Sequence, residues 1–262
     1  MSATSIPHGE PVASLKTIDF EKILSNDPQT AQELLEAARA PGFFFVDLRG
    51  PNSAGMQNDL EALFELSQEY FAQGKAIKNT HFRADVDRGY KGGVGHESFE
   101  IARDELSNET LAFPGVLAAH SSTLTRFSQQ SDFVTKKLLA SLTRSLNKQW
   151  AQDLDAPSPS GLKFISAPTS ETRSAAPDTT HTDGGILTLL WCPQLSSQIL
   201  DPQTKEWGWV EPREGCTLVN VADALQIETG GVLHSCIHRV SQPGDGVEER
   251  HFISYYLRPG TA

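Results

Sequence analysis

The sequence predicts an α+β protein in which a helical front half supports a β-rich back half, built as a sandwich or jelly roll. Three observations predict it. Up to about residue 148, apolar residues recur at helical spacing in long stretches. From Leu162 onward, short apolar segments of strand length are separated by turns rich in Gly, Pro and Asp, with no helical pattern between most of them. A chain of 262 residues can also bury one large core, so residues 1–262 are expected to form a single domain, with 1–155 packed as a helical N-terminal region on a β core at 160–262.

Residues 1–16 read as an irregular lead-in. Asp27-Pro28 is a helix start, with Asp as the cap and Pro in the first turn. Ala31, Leu34, Leu35 and Ala38 follow at helical spacing, and Pro41-Gly42 ends the run. Residues 42–48 form an aromatic, β-branched run bounded by turn residues, which suits a buried strand. A second helix is expected over about 53–72, with Met56, Leu60, Leu63, Phe64 and Phe71 as its core stripe. Residues 73–113 are polar and show no clear period. Within them, Gly89-Tyr90-Lys91-Gly92-Gly93-Val94-Gly95 lacks the strand-to-helix setting and the Gly-Lys-Ser/Thr ending of a phosphate loop, so it is read as a flexible loop near a substrate entrance. A third helix is expected over about 121–148, buried through Leu124, Phe127, Val134, Leu138, Leu142 and Leu146. Residues 155–161 are a break. Strands are then expected at 162–167, 186–191, 197–200, 208–211, 216–221, 234–240 and 250–257.

The formal net charge of −11, with no cluster of Lys and Arg, argues against a nucleic-acid partner. No apolar run reaches membrane length, and the first residues have neither the basic start nor the apolar stretch of a signal peptide. Cys192, Cys216 and Cys236 are odd in number and widely spaced, which suits buried thiols in a cytoplasmic protein better than a disulfide framework.

The chemistry centres on His181-Thr182-Asp183-Gly184-Gly185. On an extended strand, residues two apart share a face, so His181 and Asp183 converge while Thr182 turns away. His238 is the best candidate for a third ligand. Two imidazoles and one carboxylate on one side of a metal leave other positions open, the facial arrangement suited to Fe(II) and oxygen chemistry. His234, four residues before His238, is read as a surface or supporting histidine. Asn220 and Asp223 are read as setting turns and core hydrogen bonds, and Trp191, Trp207 and Trp209 as packing.

These residues sit within a longer pattern: Leu187-Thr188-Leu189-Leu190, Gln198, Trp209-Val210-Glu211-Pro212, residues 219–226, Thr229-Gly230-Gly231, His238-Arg239-Val240, Arg250 and Leu257-Arg258-Pro259. Together with Ile18-Asp19 and residues 38–46 in the front half, the chain resembles the Fe(II)/2-oxoglutarate-dependent oxygenases, in the branch similar to isopenicillin N synthase and the plant flavonoid oxygenases. The resemblance implies a double-stranded β-helix with Fe(II) held by His181, Asp183 and His238. It implies that Arg250 pairs with the distal carboxylate of 2-oxoglutarate, a task that suits the two parallel donors of a guanidinium. It also implies O2 activation with release of CO2 and succinate, and oxidation of a small organic molecule, most often by hydroxylation, with desaturation and cyclisation as variants. A natural product or a small amino-acid-like compound is the expected substrate. Tyr90, Lys91, Phe99 and Glu100 are substrate-contact candidates because family members bring that region near the pocket.

Two positions depart from the family pattern. The usual Arg-x-Ser reads Arg250-His251-Phe252, with Ser254 further along the face of Arg250 as a substitute contact. The Tyr that often precedes Pro in the first core strand is Ala167. These departures leave room for an iron oxidase that does not use 2-oxoglutarate, or for a non-catalytic ligand-binding member of the same fold. Family members usually continue into a C-terminal helical segment beyond the point matching Pro259.

Overall fold

Asp27 caps the helix Pro28–Arg39, as its sequence suggests. Its Oδ1 accepts the Thr30 amide at 2.8 Å and the Thr30 hydroxyl at 2.7 Å, and Pro28 occupies the first turn. The computed structural model describes residues 6–84, 88–93, 95–108, 113–150, 153–168, 179–243, 247 and 249–260. The front half runs β1 (Thr17–Asp19), α1 (Phe20–Leu24), α2 (Pro28–Arg39), β2 (Phe43–Asp47), α3 (Gly55–Ala72), α4 (Lys75–Asn79), β3 (Gly89–Gly92), β4 (Glu97–Ala102), α5 (Arg103–Ser107), α6 (Gly115–Ala118) and α7 (Ser121–Ser145). The back half runs β5 (Gly161–Pro168), β6 (Leu187–Trp191), β7 (Ser197–Leu200), β8 (Trp207–Val210), β9 (Cys216–Val221), α8 (Asp223–Glu228), β10 (His238–Val240) and β11 (Glu249–Leu257).

Among the described residues the strands form two sheets. The larger has eight strands in the order β1-β2-β9-β6-β11-β5-β4-β3, and the smaller has three in the order β10-β7-β8. Strand register decides which side chains face the helices and which face the small sheet, because paired residues share a face and neighbours alternate. On β11, His251 reaches Ser67 of α3 (Nδ1 to Oγ, 3.2 Å), and the Tyr255 hydroxyl donates to Asp132 of α7 at 2.7 Å. The odd-numbered residues of β11 therefore face the helices, and Arg250, Phe252, Ser254 and Tyr256 face inward between the sheets. Following the pairing across the sheet assigns Lys163, Thr188, Leu190, Leu218, Asn220, Phe43 and Phe45 to that same inner side.

The apolar core lies mainly on the helical side. Phe44, Val46, Leu63, Phe127, Leu138, Leu189, Val219 and Ile253 meet there, with Phe127 and Trp191 rings 5.0 Å apart. A smaller cluster of Phe43, Phe45, Ile199, Val210 and Leu218 fills the space between the sheets. Gly42 permits a close approach at the mouth of that space. Its φ is +87°, and a Cβ there would overlap the His234 carbonyl oxygen, so no larger residue fits.

Four front-half strands join the large sheet on both flanks. The polar stretch at 73–113 contains β3 and β4, and β4 pairs with β5 far downstream, Phe99 opposite Phe164. The Gly89–Gly92 segment is thus a strand rather than a loop; Val94 lies outside the described residues. The strand expected at 234–240 is confined to His238–Val240. Among the described residues no helix is long and apolar enough to cross a membrane.

Candidate metal centre

His181 is held by a single antiparallel bridge to His238, in which each backbone N–H donates to the other's carbonyl at 3.0 and 2.9 Å. Thr182 and Asp183 then leave the bridge as irregular chain. The expectation that His181 and Asp183 share a strand is therefore corrected: only His181 pairs, and Asp183 is aimed by a turn tied to the chain entering α8. Its carbonyl accepts the Asp223 amide at 2.7 Å, and the Thr182 hydroxyl donates to the Asp223 carboxylate at 3.0 Å.

The three side chains nevertheless meet. One ligand atom from each of His181, Asp183 and His238 lies within 4.8 Å of the other two. The Asp183 Oδ1 is 3.5 Å from His181 Nε2 and 3.8 Å from His238 Nε2, and the imidazole centroids are 4.2 Å apart. Each remaining polar atom is tied back. His181 Nδ1 lies 2.6 Å from the Thr179 carbonyl and His238 Nδ1 lies 3.1 Å from the Cys236 carbonyl, an arrangement that places the proton on Nδ1 and the lone pair on Nε2. Asp183 Oδ2 accepts the Thr188 hydroxyl at 2.6 Å and the Asn220 amide at 2.9 Å. Phe43 braces His238 edge-on at 5.2 Å.

The electrostatics suit a cation. Burial works against the Asp183 charge, but His181, His238, Thr188 and Asn220 outweigh it and hold the carboxyl well below the ordinary range. Burial pushes His238 down and keeps it neutral, against the pull of Asp183. The Asp183 partner raises His181, whose side chain is 47% exposed and opens the site to solvent. One imidazole nitrogen from each histidine and one carboxylate oxygen, all aimed at one point, are the donor set that Fe(II) oxygenases use.

Arg250 is fully buried on the inner side of β11. Its Nε donates to the Leu195 carbonyl at 3.1 Å and its Nη1 to the Val247 carbonyl at 3.3 Å. Leu195 lies four residues from Ile199, the partner of His238, which is at most roughly 13 Å of extended chain. Ser254 faces inward too, but Phe252 stands between it and Arg250, and Ser254 instead meets the Tyr256 phenol. Tyr90 and Phe99 pair with each other and face the helical core. The Tyr90 hydroxyl donates to Glu97, and the Phe99 ring lies 4.9 Å from Tyr70. The expected substrate contacts at Tyr90 and Phe99 are therefore corrected, because register turns both away from the triad. Lys91 and Glu100 fall on the inner side. His234 stays outside the triad, with its amide bonded to the Ala38 carbonyl.

Sequence reasoning missed the roles of Thr188, Asn220 and Tyr256. Thr188 and Asn220 are directly paired across β6 and β9, and Tyr256 pairs with Thr188 from β11. Alternation within each strand was a usable signal, but only pairing places the three beside Asp183.

Residues 167–259 match the family model of the 2OG-Fe(II) oxygenase superfamily. A 2-oxoglutarate-dependent dioxygenase of Gibberella zeae is 30% identical, over 94% of this chain and 80% of that protein. The chain belongs to the 2-oxoglutarate–Fe(II) oxygenase superfamily. The oxygenase is also similar to a 2-oxoglutarate-dependent dioxygenase of Glarea lozoyensis, 29% identical over 94% of this chain and 79% of that one. Among solved structures, a full-length Neurospora crassa protein in complex with α-ketoglutarate and thymine superposes with a TM-score of 0.78 at 21% identity, covering 98% of this chain and 88% of that one. The dioxygenase for auxin oxidation 1 of Arabidopsis thaliana, in its 2-oxoglutarate complex, gives 0.77 at 16% identity over 95% and 94%. At these identities the likeness shows the fold. The oxygenase is thus an oxidoreductase of the double-stranded β-helix class that uses Fe(II), 2-oxoglutarate and O2.

Proposed function

We propose that His181, Asp183 and His238 hold the iron and that Arg250 anchors the distal carboxylate of 2-oxoglutarate, so that a small organic molecule is oxidised at the open side of the triad. One observation carries this reading: both Nε2 atoms and Asp183 Oδ1 point at one another while every other polar atom of the three side chains is tied to the protein. When bound, Fe(II) with 2-oxoglutarate supplies the oxidising chemistry, consuming O2 and releasing CO2 and succinate. The chain's own residues bind, orient and exclude water. Thr188 and Asn220 keep Oδ1 of Asp183 turned to the metal, and His238 stays neutral through burial. Arg250 offers a buried guanidinium to a carboxylate on the inner side of β11. Phe45, Leu190, Ile199 and Leu218 line the space between the sheets with apolar surface.

The two halves share one sheet, which supports reading the chain as one domain. Three free thiols support a cytoplasmic setting. The test is an anaerobic titration with Fe(II) and then 2-oxoglutarate, following the visible metal-to-ligand charge-transfer band. A band that requires both additions, and that disappears in Asp183→Ala, is expected. Iron binding without a band on adding 2-oxoglutarate would remove the keto acid from this site.

A further inference from the structure

The inner wall beside the triad carries an incompletely matched positive charge. Lys163 opposes Glu100 on β4 and Ser254 on β11, so these residues share the face that carries Thr188 and Tyr256. The Lys163 ammonium lies 5.9 Å from the centre of the Tyr256 ring. Tyr256 pairs with Thr188, whose hydroxyl holds Asp183, so the phenol lies on the face that joins the metal ligands to this wall.

Glu100 is the one carboxylate in the cluster among the described residues, and it is already engaged. Its Oε1 accepts Arg258 Nη1 at 2.5 Å, and the Arg258 guanidinium lies over the Tyr256 ring at 4.6 Å. Lys163 Nζ is 3.7 Å from Glu100 Oε2, within reach of its charge but beyond a hydrogen bond. Among the described residues none of its three N–H donors meets an acceptor. The Lys163 side chain is only 29% exposed and that of Glu100 only 8%. A half-buried ammonium with empty donors is stabilised by an anion, and nothing among the described residues of this wall supplies a second one. The metal end does not supply one either. Iron, Asp183, dianionic 2-oxoglutarate and Arg250 together carry no net charge, so among the described residues the Lys163–Glu100–Arg258 group keeps one excess positive charge.

We propose that the primary substrate carries a carboxylate and that Lys163 recognises it, with Glu100 and Arg258 holding the ammonium against the Tyr256 ring. The proposal rests on the site assignment above. Lys91 shares the face, but its ammonium lies over Phe82 at 5.3 Å, on the outermost strand.

The experiment uses the full chain loaded anaerobically with Fe(II) and 2-oxoglutarate. Formation of the charge-transfer band is checked first, and failure at that step counts against the site assignment rather than against Lys163. The loaded protein is then titrated with paired probes, each a small carboxylic acid and its amide, such as 3-phenylpropionate with 3-phenylpropionamide and indole-3-acetate with indole-3-acetamide. Binding is followed by calorimetry and by the shift of the band. Acids are expected to bind at least about tenfold tighter than their amides, the scale of a hydrogen bond to a charged group. Lys163→Met should erase that preference while leaving 2-oxoglutarate affinity within about twofold, and Lys163→Arg should restore most of it. Equal binding of acids and amides, no binding by any acid, or a preference that survives Lys163→Met would overturn the proposal. So would a loss of about tenfold or more in 2-oxoglutarate affinity in Lys163→Met, which would assign the ammonium to the cosubstrate.

Discussion

Thr188→Val tests how Asp183 is aimed. The substitution keeps shape and removes one hydroxyl, which donates to Asp183 Oδ2 at 2.6 Å; Asn220 remains as the second donor at 2.9 Å. A hydrogen bond to a charged group contributes about 1.5–3 kcal/mol, and loss of such a partner behind a metal ligand typically weakens metal binding by about 10–100-fold. The metal-free variant should therefore be less stable by about 1.5–3 kcal/mol at neutral pH. The pH dependence has a fixed sign. Asp183 is held below its unfolded value of about 3.9, so its contribution is present above that pH and is lost as pH falls through the folded value. The gap between wild type and variant should be full at neutral pH and close in acid. Chelator competition for Fe(II) and urea denaturation at two pH values measure both effects. An iron affinity within about twofold of wild type, with unchanged stability, would refute the idea that Thr188 orients the carboxylate.

Other perturbations probe the rest of the site. His181→Ala and Asp183→Ala should each abolish succinate formation while leaving far-ultraviolet circular dichroism intact; full turnover in either would remove that residue from the metal. Arg250→Lys should raise the KM for 2-oxoglutarate by about tenfold or more, because a point charge replaces a two-donor fork, and should leave the KM of the primary substrate unchanged. All four tyrosines ionise above the ordinary value near 10: Tyr70 through burial, Tyr90 up to about 12 through burial and Glu97, Tyr255 through burial and Asp132, and Tyr256 through burial and Asp183. Folded values above unfolded ones mean a contribution that is full below about pH 10 and is lost as pH rises beyond it. Ultraviolet titration should show phenolate appearing together with unfolding, and ionisation in the folded state near the ordinary value would contradict this.

Much of the back half was legible because its strands are short, apolar and separated by turns. The 197–200 and 216–221 segments match the observed strands end for end. The triad was legible because few residue types serve as metal donors. What failed was sidedness. Phe99 lies two strands from β11 and Tyr90 three, and only that chain of neighbours decides that they look toward the helices. Ser254 was placed by alternation on the correct face, yet alternation says nothing about Phe252 standing between it and Arg250. Asn220 looked like a turn-setting residue because its partner, Asp183, lies 37 positions away in a segment without regular structure.

The interleaving of front and back strands has a consequence for biosynthesis. β2 pairs with β9, so Phe43 must wait for Asn220 before its amide ladder can close. At about 5–20 residues per second, a ribosome needs roughly ten seconds or more to deliver that partner. Until then β2 has only the short β1 beside it and its other edge is bare, which is the kind of surface that attracts chaperones and self-association. Trimming for expression meets the same difficulty: a fragment beginning at Gly161 would leave β9 without β2 and β5 without β4, exposing two unpaired edges of the sheet that carries Asn220, Thr188 and Arg250.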